Sequence, residues 1–319
     1  MDNITNSLSP IVLFVYKRPW HTQQTIEALK QNQLADQSEL FIFSDAAKSD
    51  KDKESVNAIR QYIDSIEGFK SVTIYKSEHN QGLAKSVISG VSKVLNAYGK
   101  AIVLEDDLIT SPYFLNYMNR VLNIYQNQQQ IFSISGFNYP TEVFTLPHYY
   151  EYDVYLNYRS CSWGWATWKN RWDKADWKVS DYKKFIGSRR AKKSFNRGGD
   201  DLTDMLKDAM NGVTDSWALR WAYTHYKYNA YTVYPRFSYI SNIGFDDSGT
   251  HCDKPLYPDN DLSLAIEHPV IPVHLKKDNT VISKHSLIHK YSISRKIKEL
   301  IKYMILYRKW KPVVSKWAL

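Results

Sequence analysis

Apolar residues come in short solid runs separated by longer stretches in which they recur every three or four positions, and this rhythm holds from Pro10 to about Ser135. Residues 11–16 read as a strand, and residues 20–32 as a helix with Thr25, Ile26 and Leu29 at helical spacing. Residues 40–43 give a second strand, followed by a helix over 53–66 with Val56, Ile59, Ile63 and Ile66 on one face. A third strand at 72–75 leads into a helix from about Leu83 to Ala97 that Gly99 closes. Residues 101–104 are a fourth strand and 131–134 a fifth, after a helix starting near Ser111 and Pro112, where proline suits the first turn. Strands alternating with helices predict a mainly parallel sheet covered on both faces. Its ligand crevice should lie outside the carboxyl ends of the strands.

Beyond Gly136 the rhythm changes. Residues 149–158 alternate in a way that suits a strand, and an indole-rich stretch follows, with Trp163, Trp165, Trp168, Trp172 and Trp177 close around Gly164. Two readings fit it: a hydrophobic plug that joins the second half to the sheet, and a wall that faces a sugar. The basic stretch from Arg189 to Gly199 reads as a solvated loop, and residues 200–212 as a capped helix ending at Gly212. Asp215 opens another helix that runs to about Asn229, either as its N-cap or as a functional carboxylate. A strand at 231–235 then leads to a glycine-punctuated loop, 241–252, that offers Asn, Asp and His side chains.

The 319 residues are 43% hydrophobic, ample for a large core, and show no internal repeat or low-complexity segment. The expected organisation is one α/β domain over 1–280, with a nucleotide-binding half at about 10–136 and an acceptor half at about 137–280. A basic amphipathic tail follows at 281–319. That tail holds ten Lys and Arg against Glu299 alone, which accounts for the whole formal charge of +9. The basic balance is therefore local, and it argues against a nucleic-acid surface spread over the fold. Within the tail, Ile293, Ile297, Ile301, Ile305 and Leu306 recur at helical spacing among lysines, with Tyr303, Tyr307, Trp310 and Trp317 nearby. Such a helix can pack on its own domain or lie on an anionic membrane surface, and the aromatic residues favour the membrane. The two cysteines, Cys161 and Cys252, and the polar start of the chain point to a reduced, cytoplasmic protein.

The chemistry concentrates where residues 101–104 run into Glu105, Asp106 and Asp107. Carboxylates at the end of a buried strand are costly unless something positive meets them, so the triplet expects a cation such as a divalent metal; an acidic turn is the plainer reading. The strand-end loops also bring Lys17 and Arg18, Ser44 and Asp45, and residues 78–82 to the same edge. No Gly-x-Gly-x-x-Gly follows the first strand and no Walker lysine loop occurs, which lowers the odds of a dinucleotide oxidoreductase or a P-loop NTPase. A phosphate would instead meet a metal and basic side chains such as Arg18 and Lys85.

Taken in order, these motifs resemble those of nucleotide-diphospho-sugar glycosyltransferases of the GT-A fold. More narrowly they are similar to the N-acetylglucosaminyltransferase I family and to bacterial surface-polysaccharide glycosyltransferases. The series runs through residues 12–19, 43–45, 103–107 with 111–114, 162–165 and 215–217, and the match covers roughly 10–252. The resemblance implies an inverting, metal-dependent transfer of a sugar, from a UDP-sugar in the first instance, to a glycan or lipid-linked acceptor in lipopolysaccharide, capsule or other polysaccharide biosynthesis. It implies Mn2+ or Mg2+ on Asp107, with Glu105 and Asp106 on the ribose and the metal's water shell. It further implies Asp45 on uracil, Arg18 on the nucleotide, Lys85 and Trp163 in donor binding, and Asp215 as catalytic base. His251 as a second metal ligand is borrowed from other GT-A enzymes. The family's eukaryotic members are membrane-anchored and disulfide-bonded, so this chain is expected in a bacterial cytoplasm, peripheral at the inner face of the plasma membrane. Two other classes fit the residues less well: a sugar nucleotidyltransferase, which would open with a glycine-rich loop, and a non-catalytic sugar-binding or scaffold protein on the same fold.

Overall fold

A computed structural model describes residues 7–246 and 258–290. The expected alternation is present. Strand β1 (Ile11–Val15) is followed by helix α1 (Pro19–Lys30), then β2 (Glu39–Ser44), α2 (Lys53–Ile63), β3 (Ser71–Lys76), α3 (Leu83–Tyr98) and β4 (Lys100–Glu105). After a short β5 (Leu108–Thr110) come α4 (Phe114–Tyr125), β6 (Ile131–Ser135), β7 (Val154–Asn157) and β8 (Trp165–Trp168). The helices α5 (Lys169–Trp172), α6 (Tyr182–Gly187), α7 (Arg189–Phe195), α8 (Leu202–Met210) and α9 (Trp217–Lys227) precede β9 (Tyr231–Pro235), β10 (Ile240–Asn242) and α10 (Asn279–Leu287).

Eight strands form one sheet in the order β3-β2-β1-β4-β8-β6-β9-β7. The pairs β3-β2, β2-β1, β1-β4 and β6-β9 are parallel, whereas β8 runs antiparallel to both β4 and β6, and β7 antiparallel to β9. Six strands thus share one direction, and their carboxyl ends lie along one edge. The sheet separates two cores by strand alternation. Ile11, Leu13 and Val15 of β1 pack with Ile26, Leu29 and Leu122 on one face, while Val12 and Phe14 pack with Val87, Val91 and Trp221 on the other.

Several expectations need correcting. The expected strand over 149–158 is shorter, because only Val154–Asn157 reaches β9. The indole-rich stretch contains a strand of its own, β8, whose Trp165 stacks on Trp217 at 5.0 Å while Trp172 packs on Trp221 at 5.0 Å. Trp165, Trp172, Trp217 and Trp221 are all buried, so the plug reading describes them. The basic stretch from Arg189 is helical, since Phe185 and Phe195 anchor it against Leu202, Leu206 and Tyr223. Helix α8 has no side-chain cap; Asp201 pairs with Arg159 instead, at 2.9 Å. Helix α10 spans the position at which the tail was expected to begin, and its Val281 is buried. The tail beyond Lys290, the start of the chain and residues 247–257 with His251 and Cys252 lie outside the described residues. Among the described residues no helix is long and apolar enough to cross a membrane.

Candidate functional site

Strand β4 ends at the sheet's carboxyl edge, beside the end of β1, with Glu105 in register with Phe14. The backbone of the next two residues carries Asp106 and Asp107 into the space in front of that edge, and Arg18, on the loop after β1, reaches across to both. Its Nη2 donates to Asp106 Oδ1, and to Asp107 Oδ2 at 2.9 Å. The cation that the acidic triplet calls for is thus supplied in part by the chain itself. Asp106 is 5% exposed, and its other oxygen faces the Tyr16 amide at 3.4 Å. Burial pushes the Asp106 carboxyl up from its ordinary range, and Arg18 opposes that push. Burial also works against the Arg18 charge, but Asp106 and Asp107 outweigh it and hold the guanidinium firmly protonated. Glu105 has no such partner. Burial, and then repulsion from Asp107 and Asp106, push its carboxyl up to about 8.

Strand β4 also ties the two halves of the chain together. Trp217, the first residue of α9, shares a core cluster with Val103 of the same strand, and its side chain favours the ionised form of Glu105. Trp217 stands two residues after Asp215, and Glu105 two before Asp107, so the strand that presents the acidic triplet meets the start of the helix that presents Asp215. Asp215 is not the N-cap: Ser216 is, its hydroxyl accepting from the Leu219 amide. The Asp215 carboxylate is therefore free of capping duty and 61% exposed, with Arg220 Nη1 at 3.5 Å from its Oδ1. It lies over Gly82, where a Cβ would come within 3.5 Å of Asp215 Oδ2.

Gly82 adopts φ +77, a conformation that a side chain would strain, and Asp45 holds it there. The Asp45 carboxylate accepts from the backbone amides of Gln81 and Gly82 at 3.0 Å each, from Ala46 at 2.9 Å and from Asn80 Nδ2 at 3.1 Å. Both oxygens are occupied, so in this structure Asp45 shapes the loop before α3. Lys85 lies exposed in the first turn of α3.

The second half of the chain closes over Asp107 from the other side. Strand β10 pairs antiparallel with β5, directly after the triplet, and the Ile243 amide donates to the Asp107 carbonyl at 2.9 Å. Gly244 then passes so close that a Cβ would stand 2.2 Å from Asp107 Oδ2 and 3.0 Å from Arg18 Nη1. Next to it, Phe245 packs edge-on against Trp163 at 5.6 Å, and Asp246 Oδ2 stands 3.1 Å from His21 Nε2. Trp163 is half-buried between Phe245 and Phe137. The structure thus brings together Arg18, Glu105, Asp106 and Asp107 directly, Asp215 through Trp217, Asp45 through Gly82, and Trp163 through Phe245.

Hard carboxylate oxygens suit Mn2+ or Mg2+. Among the described residues, however, no three His, Cys, Asp or Glu side chains are grouped to hold an ion. Asp107, partly exposed and only singly bonded to Arg18, fits as one ligand of an ion whose remaining oxygens come from phosphate and water, the usual arrangement for magnesium beside a nucleotide. Three residues of the site had no role in the sequence reading. Trp217 entered that reading only as the end of the 215–217 motif and with no role of its own, Gly244 matters only through its approach to Asp107, and Arg220 is one cation among many.

No protein-family model matches the chain, and no curated protein does. Solved structures do overlap with it in part. One is the mannosyltransferase PcManGT from Pyrobaculum calidifontis in complex with GDP-Man and Mn2+, at a TM-score of 0.36 and 10% identity over 52% of this chain and 46% of that one. Another is TarS from S. aureus, at a TM-score of 0.29 and 10% identity over 44% of this chain and 23% of its own. The overlap spans less than half of each neighbour, and an overlap this partial assigns no activity.

Proposed function

We propose that this chain is an inverting glycosyltransferase that moves a sugar from a nucleoside-diphosphate donor, of the UDP-sugar class, to a hydroxyl of a glycan or lipid-linked acceptor. The observation that supports the reading is the burial of Trp217, at the start of α9 two residues after Asp215, in one core cluster with Val103 of β4. Donor-side and acceptor-side carboxylates are thereby fixed to each other through buried side chains, as an in-line displacement requires.

In this reading Arg18 and Asp107 face the diphosphate, and Lys85 adds charge at the rim. Asp107 would hold a manganese or magnesium ion, which when bound stabilises the negative charge of the departing diphosphate. Asp215, exposed to solvent and to an incoming acceptor, takes the proton of the acceptor hydroxyl as its oxygen bonds to the anomeric carbon and the bond to the diphosphate breaks on the opposite face. Arg220 keeps that carboxylate oriented. Asp45 acts by holding Gly82 out of the way of Asp215, and Trp163 lines the donor side. The basic, aromatic-containing tail of the sequence supports a location at the inner face of a bacterial plasma membrane, where a lipid-linked acceptor would be presented.

A thermal-shift screen against a nucleotide-sugar panel, with and without manganese, identifies the donor, since a ligand that binds the native state raises the melting point. Asp215→Asn should then bind that donor as the parent does but transfer no sugar. Turnover near the parent rate in that variant would refute the assignment of the base.

A further inference from the structure

The most one-sided surface of the described chain is the helical hairpin α6–α7, which the transfer reaction does not use. Between Tyr182 and Gly199 there are seven Lys and Arg and no acidic residue. Residues 1–280 sum to zero formal charge, so this block is a local excess of positive charge along the sequence. The fold turns the block outward. Phe185 and Phe195 meet at 5.6 Å and are buried with Leu202, Leu206, Leu219 and Tyr223, which commits the apolar side of both helices to the interior. Lys183, Lys184, Arg189, Arg190 and Lys193 are all exposed. Arg189, Arg190 and Lys193 stand at i, i+1 and i+4, on one side of α7. Of the acids beside the block, Asp181 is engaged by Lys227 and by the Tyr223 hydroxyl at 2.9 Å, while Asp208 on α8 faces Tyr182.

We infer that the α6–α7 hairpin is a docking surface for an anionic lipid bilayer. Two observations select a membrane over other polyanions. The cations stand on the outer side of a short helical hairpin whose rings pack inward, Phe185 and Phe195 buried and Tyr182 half-buried against the same cluster, which leaves little aromatic face to stack on a base. The same sequence also carries a second basic segment in its tail, interspersed with Tyr and Trp, a composition that suits an anionic lipid interface. The inference shares its partner with the membrane placement proposed above but rests on different residues, and it does not depend on the transfer reaction.

The test is co-sedimentation of the full-length chain with vesicles of phosphatidylcholine alone and with 30% phosphatidylglycerol, about 0.1 M salt being present so that surface charges are screened to a Debye length of about 10 Å. Three proteins are compared: the parent, Lys183→Gln/Lys184→Gln/Arg189→Gln/Arg190→Gln, and Arg308→Gln/Lys309→Gln/Lys311→Gln in the tail, each with its melting point checked. We expect the parent to bind the anionic vesicles only, and the hairpin variant to lose at least tenfold in affinity with an unchanged melting point. Loss in the tail variant alone would leave the tail as the anchor and overturn the hairpin assignment. Absence of binding by the parent would overturn it as well, as would equal binding of heparin or RNA with the same loss in the hairpin variant. None of these readouts involves sugar transfer, so failure here is distinct from failure of the proposed reaction.

Discussion

Glu105→Gln should stabilise the protein in a pH-dependent way. The carboxyl titrates near 8 in the folded chain against an ordinary value of 4.5, because burial and the charges of Asp107 and Asp106 disfavour its ionised form. A carboxyl raised by folding favours the folded state fully below pH 4.5, and this contribution is lost as the pH climbs towards 8. At 1.36 kcal/mol per pH unit, the penalty relative to a group that never ionises is roughly 3 kcal/mol at pH 7 and roughly 5 kcal/mol above pH 8, both upper bounds. Glutamine copies the shape of the protonated acid, so the variant escapes the penalty without opening a cavity. Urea denaturation of parent and variant at pH 5, 7 and 9, with a chelator present, isolates the effect because every other titration cancels in the difference. The variant should be near parity at pH 5, more stable by about 1–3 kcal/mol at pH 7, and further ahead at pH 9. A difference that stays flat across the range, or a variant less stable at pH 7, would refute the buried, charge-crowded state of Glu105.

Other consequences follow from the same geometry. Arg18→Met leaves Asp106 buried with its main counter-charge removed, and should cost on the order of 3 kcal/mol by denaturant titration while abolishing donor binding. Gly244→Ala pushes a methyl into the Asp107 carboxylate, so donor affinity measured by calorimetry should fall at least tenfold with the bulk of the fold retained by circular dichroism. His285 is fully buried, with neither ring nitrogen hydrogen-bonded among the described residues, and burial holds it well below its ordinary value. A histidine kept neutral in this way loses stability as the pH falls below about 6.5, so His285→Phe should match or exceed the parent and flatten the decline in melting point between pH 6.5 and 5.

The first half of the fold, from Pro10 to about Ser135, was legible because most of its strands are solid apolar runs and its helices amphipathic ones, and period is what burial selects for. The acidic triplet was legible for a related reason, since Glu105 follows four buried residues and its strand end can face only the sheet's edge. Beyond Gly136 the same logic gave out. Trp165–Trp168 alternates weakly because both faces of β8 are buried, and it runs antiparallel to its neighbours, so nothing in its own four residues marks it as a strand. Arg189–Phe195 was misread as a loop because its charges mask two buried aromatic anchors that lie ten residues apart, at Phe185 and Phe195.

The cation of the triplet shows what sequence order alone withholds. Three consecutive carboxylates invite a metal, yet the structure meets two of them with Arg18, nearly ninety residues earlier in the chain. That pairing changes what a metal could do here. An ion arriving with a diphosphate has only Asp107 accessible to it, and must share that carboxylate with a guanidinium already in place, so arginine and ion compete for one ligand. Arg18 therefore either gives up Asp107 to the ion and turns to the phosphates, or keeps it and weakens the ion's hold. Arg18→Lys discriminates between these outcomes. A lysine keeps the charge but loses the planar guanidinium that reaches Asp106 and Asp107 together, so manganese affinity measured in the presence of nucleotide should rise if the arginine competes, and fall if the arginine positions Asp107 for the ion.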